Sequence, residues 1–145
     1  NTPIEVIERE CPVLFVEYSL RTDSGGPGQY RGGLGITRAF KILSERATLS
    51  IATERVKLRP WGLEGGMDGE SGMHYVVRDG EVIELKAKDT VELRRGDIIY
   101  INTPGGGGYG RPELRDPKLV REDLLDGKIS PEAAARYYGH SELPT

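Results

Sequence analysis

Apolar and polar positions alternate with a period of two through much of the middle of the chain. Between Val13 and Leu20 the residues Leu14, Val16, Tyr18 and Leu20 share one parity, and Glu17 and Ser19 the other. This is the pattern of a strand with one buried face. Apolar runs rich in β-branched residues recur at 34–43, 47–53, 73–77, 82–85, 90–93 and 97–102, which predicts six further strands. Arg78-Asp79-Gly80-Glu81 divides two of them as a hairpin, because Asp-Gly suits a two-residue turn with positive φ at both positions. Arg94-Arg95-Gly96-Asp97 reads as a second turn. No helical stretch of roughly 10 to 15 residues separates these runs, so a βαβ layout is excluded.

The periodicity changes at both ends. Thr2 reads as an N-cap with Pro3 at the first helical position, and Ile4, Glu5, Val6 and Ile7 continue a short helix that stops before Pro12. Asp116-Pro117 opens a second helix carrying Leu119, Val120, Asp123 and Leu124, with Gly127 as its stop. Ser130-Pro131-Glu132 repeats the device before Ala133 to Tyr138 and Gly139. The expected fold is mainly β (α+β): a multi-stranded antiparallel or mixed β domain with short helices at the N- and C-terminal ends. At 145 residues the chain is expected to be a single domain, 1–145, with enough length to bury a core.

Glycine alters this picture most. It supplies 20 of the 145 residues, about twice the average usage of about 7%. Six lie between Gly25 and Gly35, five between Gly62 and Gly72, and five between Gly105 and Gly110. Glycine at that density loses much conformational entropy on folding and tolerates left-handed backbone. The loops are therefore expected to make tight turns or close approaches against another surface. A flexible linker would be richer in Ser or Pro and would lack flanking strands.

Bulk charge names no partner: 20 Lys and Arg against 23 Asp and Glu give a net charge of -3. There is no basic nucleic-acid footprint. No apolar run reaches the roughly 18 residues of a membrane span. The single Cys11 cannot close an intramolecular disulfide, which fits a reducing, cytoplasmic compartment. Cys11 has no neighbouring His and is read as a small buried hydrophobe. The chain starts at Asn1-Thr2-Pro3 without an initiator Met, so it reads as an internal or C-terminal piece of something longer.

Several strings invite a chemistry that their context excludes. Asp23-Ser24-Gly25-Gly26-Pro27 resembles the nucleophile string of trypsin-like proteases, but no His precedes it. Gly105, Gly107 and Gly110 satisfy G-x-G-x-x-G, yet Arg111-Pro112 follows where a dinucleotide site needs a helix to open. Gly127-Lys128 is followed by Ile129, so there is no phosphate loop of the P-loop type. Asp68, Glu70 and His74 are close together without a second His, and a solvated loop is the better reading than a metal site. His140 is expected to be exposed beyond the last helix.

The arginines are better candidates. Arg21, Arg31 and Arg38 flank the first glycine loop, Arg55 and Arg59 precede the second, and Arg111 and Arg115 follow the third. Planar guanidinium groups beside close-approach backbone suit carboxylate or phosphate oxygens, or the acids of a partner chain. Surface salt bridging with the similar number of acids is the alternative.

Read in order, the strings resemble the C-terminal segment of the hydantoinase B family, which includes 5-oxoprolinases and the large subunits of acetone and acetophenone carboxylases. The likeness rests on Asn1-Thr2-Pro3-Ile4-Glu5, Asp23-Ser24-Gly25-Gly26-Pro27-Gly28 and Tyr30-Arg31-Gly32-Gly33-Leu34-Gly35. It continues through Glu54-Arg55, Pro60-Trp61-Gly62-Leu63, Gly65-Gly66, Thr103 to Gly110, Asp123 to Gly127, Ser130 and Tyr138-Gly139. The resemblance implies an ATP-dependent attack on a carbonyl. A hydantoinase A-like subunit binds ATP and phosphorylates a lactam, imide or ketone oxygen, and the B-type subunit completes hydrolysis or carboxylation. The family's His and Asp metal cluster lies toward the N-terminal part of a much longer chain, and nothing here matches it.

The resemblance therefore implies no catalytic residue, metal ligand or bound cofactor in this segment, with ATP and a divalent metal belonging to the full complex. Its partners would be the A-like subunit, the remainder of the B-type subunit and a small lactam, imide or ketone, in a cytoplasmic hetero-oligomer without nucleic acid or membrane. Asp23, Ser24, Arg31 and Arg55 are the candidate substrate or partner contacts, with Asp23 as an orienting acid. The alternatives are part of a ketone carboxylase of the same family, or a non-catalytic assembly module.

Overall fold

A computed structural model describes residues 2–139; His140 lies outside the described residues. The elements run α1 (Ile4–Glu10), β1 (Val13–Leu20), β2 (Ile36–Ile42), β3 (Arg46–Ala52), β4 (Met73–Arg78), β5 (Glu81–Leu85), β6 (Lys88–Arg94) and β7 (Ile98–Asn102). A 3-10 turn (Pro112–Leu114), α2 (Pro117–Leu125) and α3 (Pro131–Tyr138) follow. The fold is mainly β with short helices at both ends, as the periodicity predicts. Five strands form one antiparallel sheet in the order β1-β2-β7-β4-β5, and β3 and β6 form a separate antiparallel pair.

Cross-strand register decides which residues meet. Ile42, Val76, Leu85 and Ile99 of the large sheet and Ile51 and Leu93 of the pair are buried in one cluster, so the two sheets share a core. Arg78 pairs with Glu81 across Asp79 (φ 50) and Gly80 (φ 83), the two-residue turn that Asp-Gly favours. Between β6 and β7, Gly96 takes φ 92, and Asp97 accepts from Arg78 through three bonds and from the Arg94 amide at 2.8 Å. The hydrogen bonds from Arg78 hold the Asp97 carboxyl below its ordinary range against the opposing effect of burial.

The C-terminal caps also follow the sequence. Asp116 accepts from the Lys118 amide and Ser130 from the Ala133 amide, while Gly139 closes α3 at φ 72. Val120, Ile129, Ala134 and Tyr138 make a second, smaller core between these helices.

Three expectations are corrected at the N-terminal end. Pro3 sits at the N-cap of α1 and Thr2 precedes it, with no side-chain cap bond. The apolar parity of β1 is its exposed side: Leu14, Val16, Tyr18 and Leu20 are 43–57% accessible. β1 is an edge strand with a bulge between Phe15 and Glu17, and a bulge puts one extra residue on the strand, shifting which side chains face the sheet interior. Cys11 is exposed because it follows α1, a helix with no buried residue.

Candidate functional site

The three glycine-rich segments meet at one end of the sheet, where β2 begins and β7 ends. They are neither helix nor regular strand, and they pack backbone against backbone. Gly26 donates to Gly106 O at 2.8 Å and Gly106 donates to Gly33 O at 2.8 Å, joining the first loop to the third. Gly108 donates to Met67 O and Leu63 to Gly108 O, each at 2.9 Å, joining the second to the third. Met67 donates to Pro27 O and Glu70 to Ser24 O, each at 2.8 Å, joining the first to the second. Buried backbone groups need such partners, and here each loop supplies the other two.

Absence of a side chain is what permits this packing. A Cβ on Gly25, Gly26, Gly32, Gly66, Gly105, Gly107 or Gly108 would sit under 3.0 Å from backbone of a neighbouring loop segment, a distance real Cβ atoms essentially never show. Of the loop glycines only Gly65 and Gly110 have positive φ. Close approach, the second reason weighed for the glycines, therefore governs most of them, and left-handed backbone only those two.

Charged and polar side chains lock the assembly. The Arg21 guanidinium donates to Ser71 O at 3.1 Å and to Thr103 O, so one residue of the first loop holds both of the others. Ser24, 1% exposed, donates from Oγ to Arg21 O at 2.6 Å and accepts from the Gly35 amide at 2.8 Å. Its hydroxyl is committed to closing the first loop. Asp23 (φ 62) accepts from the Ser130 amide at 2.7 Å, and its own amide donates to Lys128 O; it fastens the loop to the start of α3.

Arg31 reaches α2, donating from Nε and Nη2 to the two oxygens of Asp123 at 2.8 and 3.0 Å, and from Nη1 to Gly32 O. Arg115 donates to the same carboxylate at 2.8 Å and to Gln29 O at 3.1 Å. Burial pushes the Asp123 carboxyl up, and the bonds and charges of Arg31 and Arg115 outweigh it, leaving it below the ordinary carboxylate range. Arg55 lies apart from this triad. It takes φ 54 and its guanidinium lies 5.2 Å from the centre of the Trp61 ring, a cation–π arrangement.

The sequence reading of Asp68, Glu70 and His74 as one solvated loop is corrected. Asp68 accepts from the Gly62 amide and Glu70 pairs with Arg59 at 2.7 Å at the surface, whereas His74 is on β4, 2% exposed. Neither imidazole nitrogen has a hydrogen-bond partner among the described residues. Burial, then the charge of Arg21, lowers the His74 pKa, so the ring is neutral at pH 7. With the folded value below the unfolded one, the unfolded state binds more protons below about pH 6.5. Stability is thus expected to be full above that pH and to fall as pH drops toward the folded value. Unfolding midpoints measured between pH 7.5 and 5.5 should show this loss in the wild-type protein and a smaller one in His74→Gln.

Near His74 the structure opens into a cleft of about 360 Å³ lined also by Thr53, Glu54, Arg55, Thr103 and Pro104. Arg55 was accessible to sequence reasoning through its place before the second glycine loop. His74 was not, since in the chain it stands beside the loop acids Asp68 and Glu70. Asp123 left a visible signal, an acid three positions after Val120 on the buried stripe of α2.

Three interlocked glycine loops seated on a five-stranded sheet define the class of domain present here. The Hydantoinase B/oxoprolinase family profile matches residues 1–112, and the chain belongs to that family. It is 57% identical over 138 residues to an uncharacterized protein of Methanocaldococcus jannaschii, covering 95% of this chain and 24% of that protein. It is 39% identical over 113 residues to a 5-oxoprolinase of Dictyostelium discoideum, covering 77% of this chain and 9% of that one. The crystal structure of an ATP-dependent caprolactamase from Pseudomonas jessenii superposes with a TM-score of 0.84 at 29% identity, over 96% of this chain and 25% of that one. The chain thus spans a quarter or less of the length of these relatives. No helix among the described residues is long and apolar enough to cross a membrane.

Proposed function

We propose that this chain is the C-terminal part of the B-type subunit of an ATP-dependent cyclic-amide hydrolase, acting with a hydantoinase A-like subunit on a lactam or imide. The observation that carries this reading is the match in fold and sequence, over 96% of the chain, to an ATP-dependent caprolactamase. ATP makes chemical sense for such a bond. A phosphorylated imidate is a far better electrophile than a resonance-stabilised amide.

Neither implied group finds its usual donors among the described residues. Among the described residues no group of three His, Cys, Asp or Glu side chains is placed to hold a metal ion, and Gly127-Lys128-Ile129 is no phosphate loop. The nucleotide and the metal belong, in this reading, to the A-like subunit and the remainder of the B-type subunit. What this segment contributes is a rigid glycine platform, in which Asp23, Ser24 and Arg31 hold the backbone in place and Arg55 faces a cleft.

The reading is tested by ATP turnover. The purified 145 residues are expected to show no lactam-dependent ATP hydrolysis, and the full B-type subunit with its A-like partner is expected to show it with hydantoin, 5-oxoproline or caprolactam. Steady turnover by the 145 residues alone, or a complete complex that consumes ATP with none of these compounds, would overturn it.

A further inference from the structure

The five-stranded sheet has two faces, and the described residues cover one of them. Successive residues of a strand point to opposite faces, so the register sorts the side chains. Phe40, Ile99, Val76 and Ile83 are aligned across β2, β7, β4 and β5, and Ile99 and Val76 lie in the core shared with β3 and β6. The neighbouring rows belong to the opposite face. One runs Leu14, Lys41, Ile98, Val77 and Val82 from β1 to β5, and the other Glu17, Ala39, Tyr100, Tyr75 and Glu84. No described helix closes over them: α2 and α3 turn their buried residues into a core of their own, and α1 buries none.

This second face has the layout of an interface. Glu17 and Glu84 stand on the two edge strands, and between them lie Ala39 and the stacked rings of Tyr100 and Tyr75, 4.8 Å apart. In the other row Lys41 is the one charge, and Leu14 and Val82 at its ends are 46% and 67% exposed. Met73, two positions before Tyr75 on the same face, is 49% exposed. An apolar, tyrosine-bearing centre inside a polar rim is the anatomy of a protein–protein contact. The central strand agrees: Ile98, Ile99, Tyr100 and Ile101 of β7 do not alternate, whereas an antiparallel sheet with one wet face alternates apolar and polar positions.

We propose that the remainder of the same polypeptide, the part preceding Asn1, packs on this face, with Tyr75 and Tyr100 at the centre of the contact and Glu17 and Glu84 at its rim. The proposal rests on the reading of this chain as the C-terminal part of a longer subunit, and not on the reaction assigned to that subunit. Length identifies the occupant. The chain covers 24% of the Methanocaldococcus jannaschii protein and 25% of the caprolactamase, so about three quarters of such a polypeptide lies outside it. A contact within one polypeptide enjoys a high effective concentration, and a face that is always covered can be apolar at its centre, as obligate interfaces are. A separate subunit or a second copy would leave the patch open to solvent on each dissociation.

The test uses the full-length B-type subunit in complex with its A-like partner. Val82→Cys is expected to react with a maleimide at least about tenfold more slowly in the native complex than in urea, because a covered thiol reacts only through local opening. A benzophenone amino acid in place of Met73, activated by light, then reports what lies on the face. The expected product runs at the mass of one B-type chain on a denaturing gel, with its cross-linked peptide drawn from residues preceding Asn1. Val82→Cys is a small change and reads coverage even if the benzophenone variant fails to fold. Labelling of Val82→Cys in the native complex at the unfolded rate would overturn the proposal. So would a cross-linked product at the mass of two B-type chains, one at the combined mass of the B-type and A-like chains, or a cross-link confined to residues 1–145. A complex that turns over lactam and ATP under those outcomes leaves the proposed function standing, and a covered face in a complex without such turnover leaves this proposal standing.

Discussion

Replacing Gly107 with Val, or Gly105 with Ala, is expected to abolish or nearly abolish folded protein, whereas Gly33→Ala is expected to be silent. A Cβ at Gly107 would overlap the carbonyl of Trp61, and one at Gly105 the carbonyl of Ser24, both well inside 3.0 Å. Neither neighbour is a flexible side-chain end that can swing away. Each is main chain, held by the bonds that join the three loops. Overpacking in a well-packed site ordinarily costs about 1–3 kcal/mol, and a clash between two fixed backbones belongs at or above the top of that range. A domain has only about 5–15 kcal/mol to lose. Gly33 has nothing within 4 Å of its Cβ position, and its φ is not in the left-handed region. Ala there should fall within about 0.5 kcal/mol of wild type. Soluble yield and unfolding midpoints of the three variants in the full-length subunit make the comparison, and equal losses at Gly33 and Gly107 would refute the backbone-contact account.

The second large effect is expected at Asp123. Its carboxylate is shared by two guanidinium groups, and the side chains of Arg31, Asp123 and Arg115 are 13%, 6% and 8% exposed. Asp123→Ala leaves two cations buried without their anion, which costs about 3–5 kcal/mol. Arg31→Lys keeps the charge but loses the paired Nε and Nη2 bonds, and about 2 kcal/mol is expected. Arg94→Lys, at the exposed end of β6, should change stability by less than about 0.5 kcal/mol. Denaturant midpoints rank the three, and a loss at Arg31→Lys no greater than at Arg94→Lys would contradict this ranking. The pH dependence has a definite sign. The folded Asp123 pKa lies below its unfolded value of about 3.9, so the triad's contribution is present above that pH and is lost as pH falls through the folded value.

Much of the fold was legible because it rests on local rules. The Asp79-Gly80 hairpin, the Asp116 and Ser130 caps and the seven strands each follow from a few adjacent residues. What was not legible depends on neighbours that are distant in sequence. The burial side of β1 was misread since an edge strand with a bulge exposes an apolar parity that looks buried. The density of glycine was plain, but sequence alone does not separate a need for positive φ from a need for space. At Gly65 and Gly110 it is the first, and at Gly105 and Gly107 the second. His74 was set among the loop acids Asp68 and Glu70 because it is near them in the chain, whereas β-pairing turns it into the core. Arg31 was singled out as a contact to substrate or partner, and within this chain its guanidinium is engaged by Asp123, 92 residues away.

The three glycine-rich segments form one interlocked layer and are not linkers between strands. Hydrogen–deuterium exchange on the full-length subunit in its complex tests it most directly, peptide by peptide. If the loops are joined as described, the amides of Gly26, Gly32, Gly106 and Gly108, which all donate to loop carbonyls at 2.8–3.0 Å, will exchange as slowly as those of β7 at the centre of the sheet. Exchange of these glycine segments at the rate of an unstructured peptide, while β7 stays protected, would contradict it.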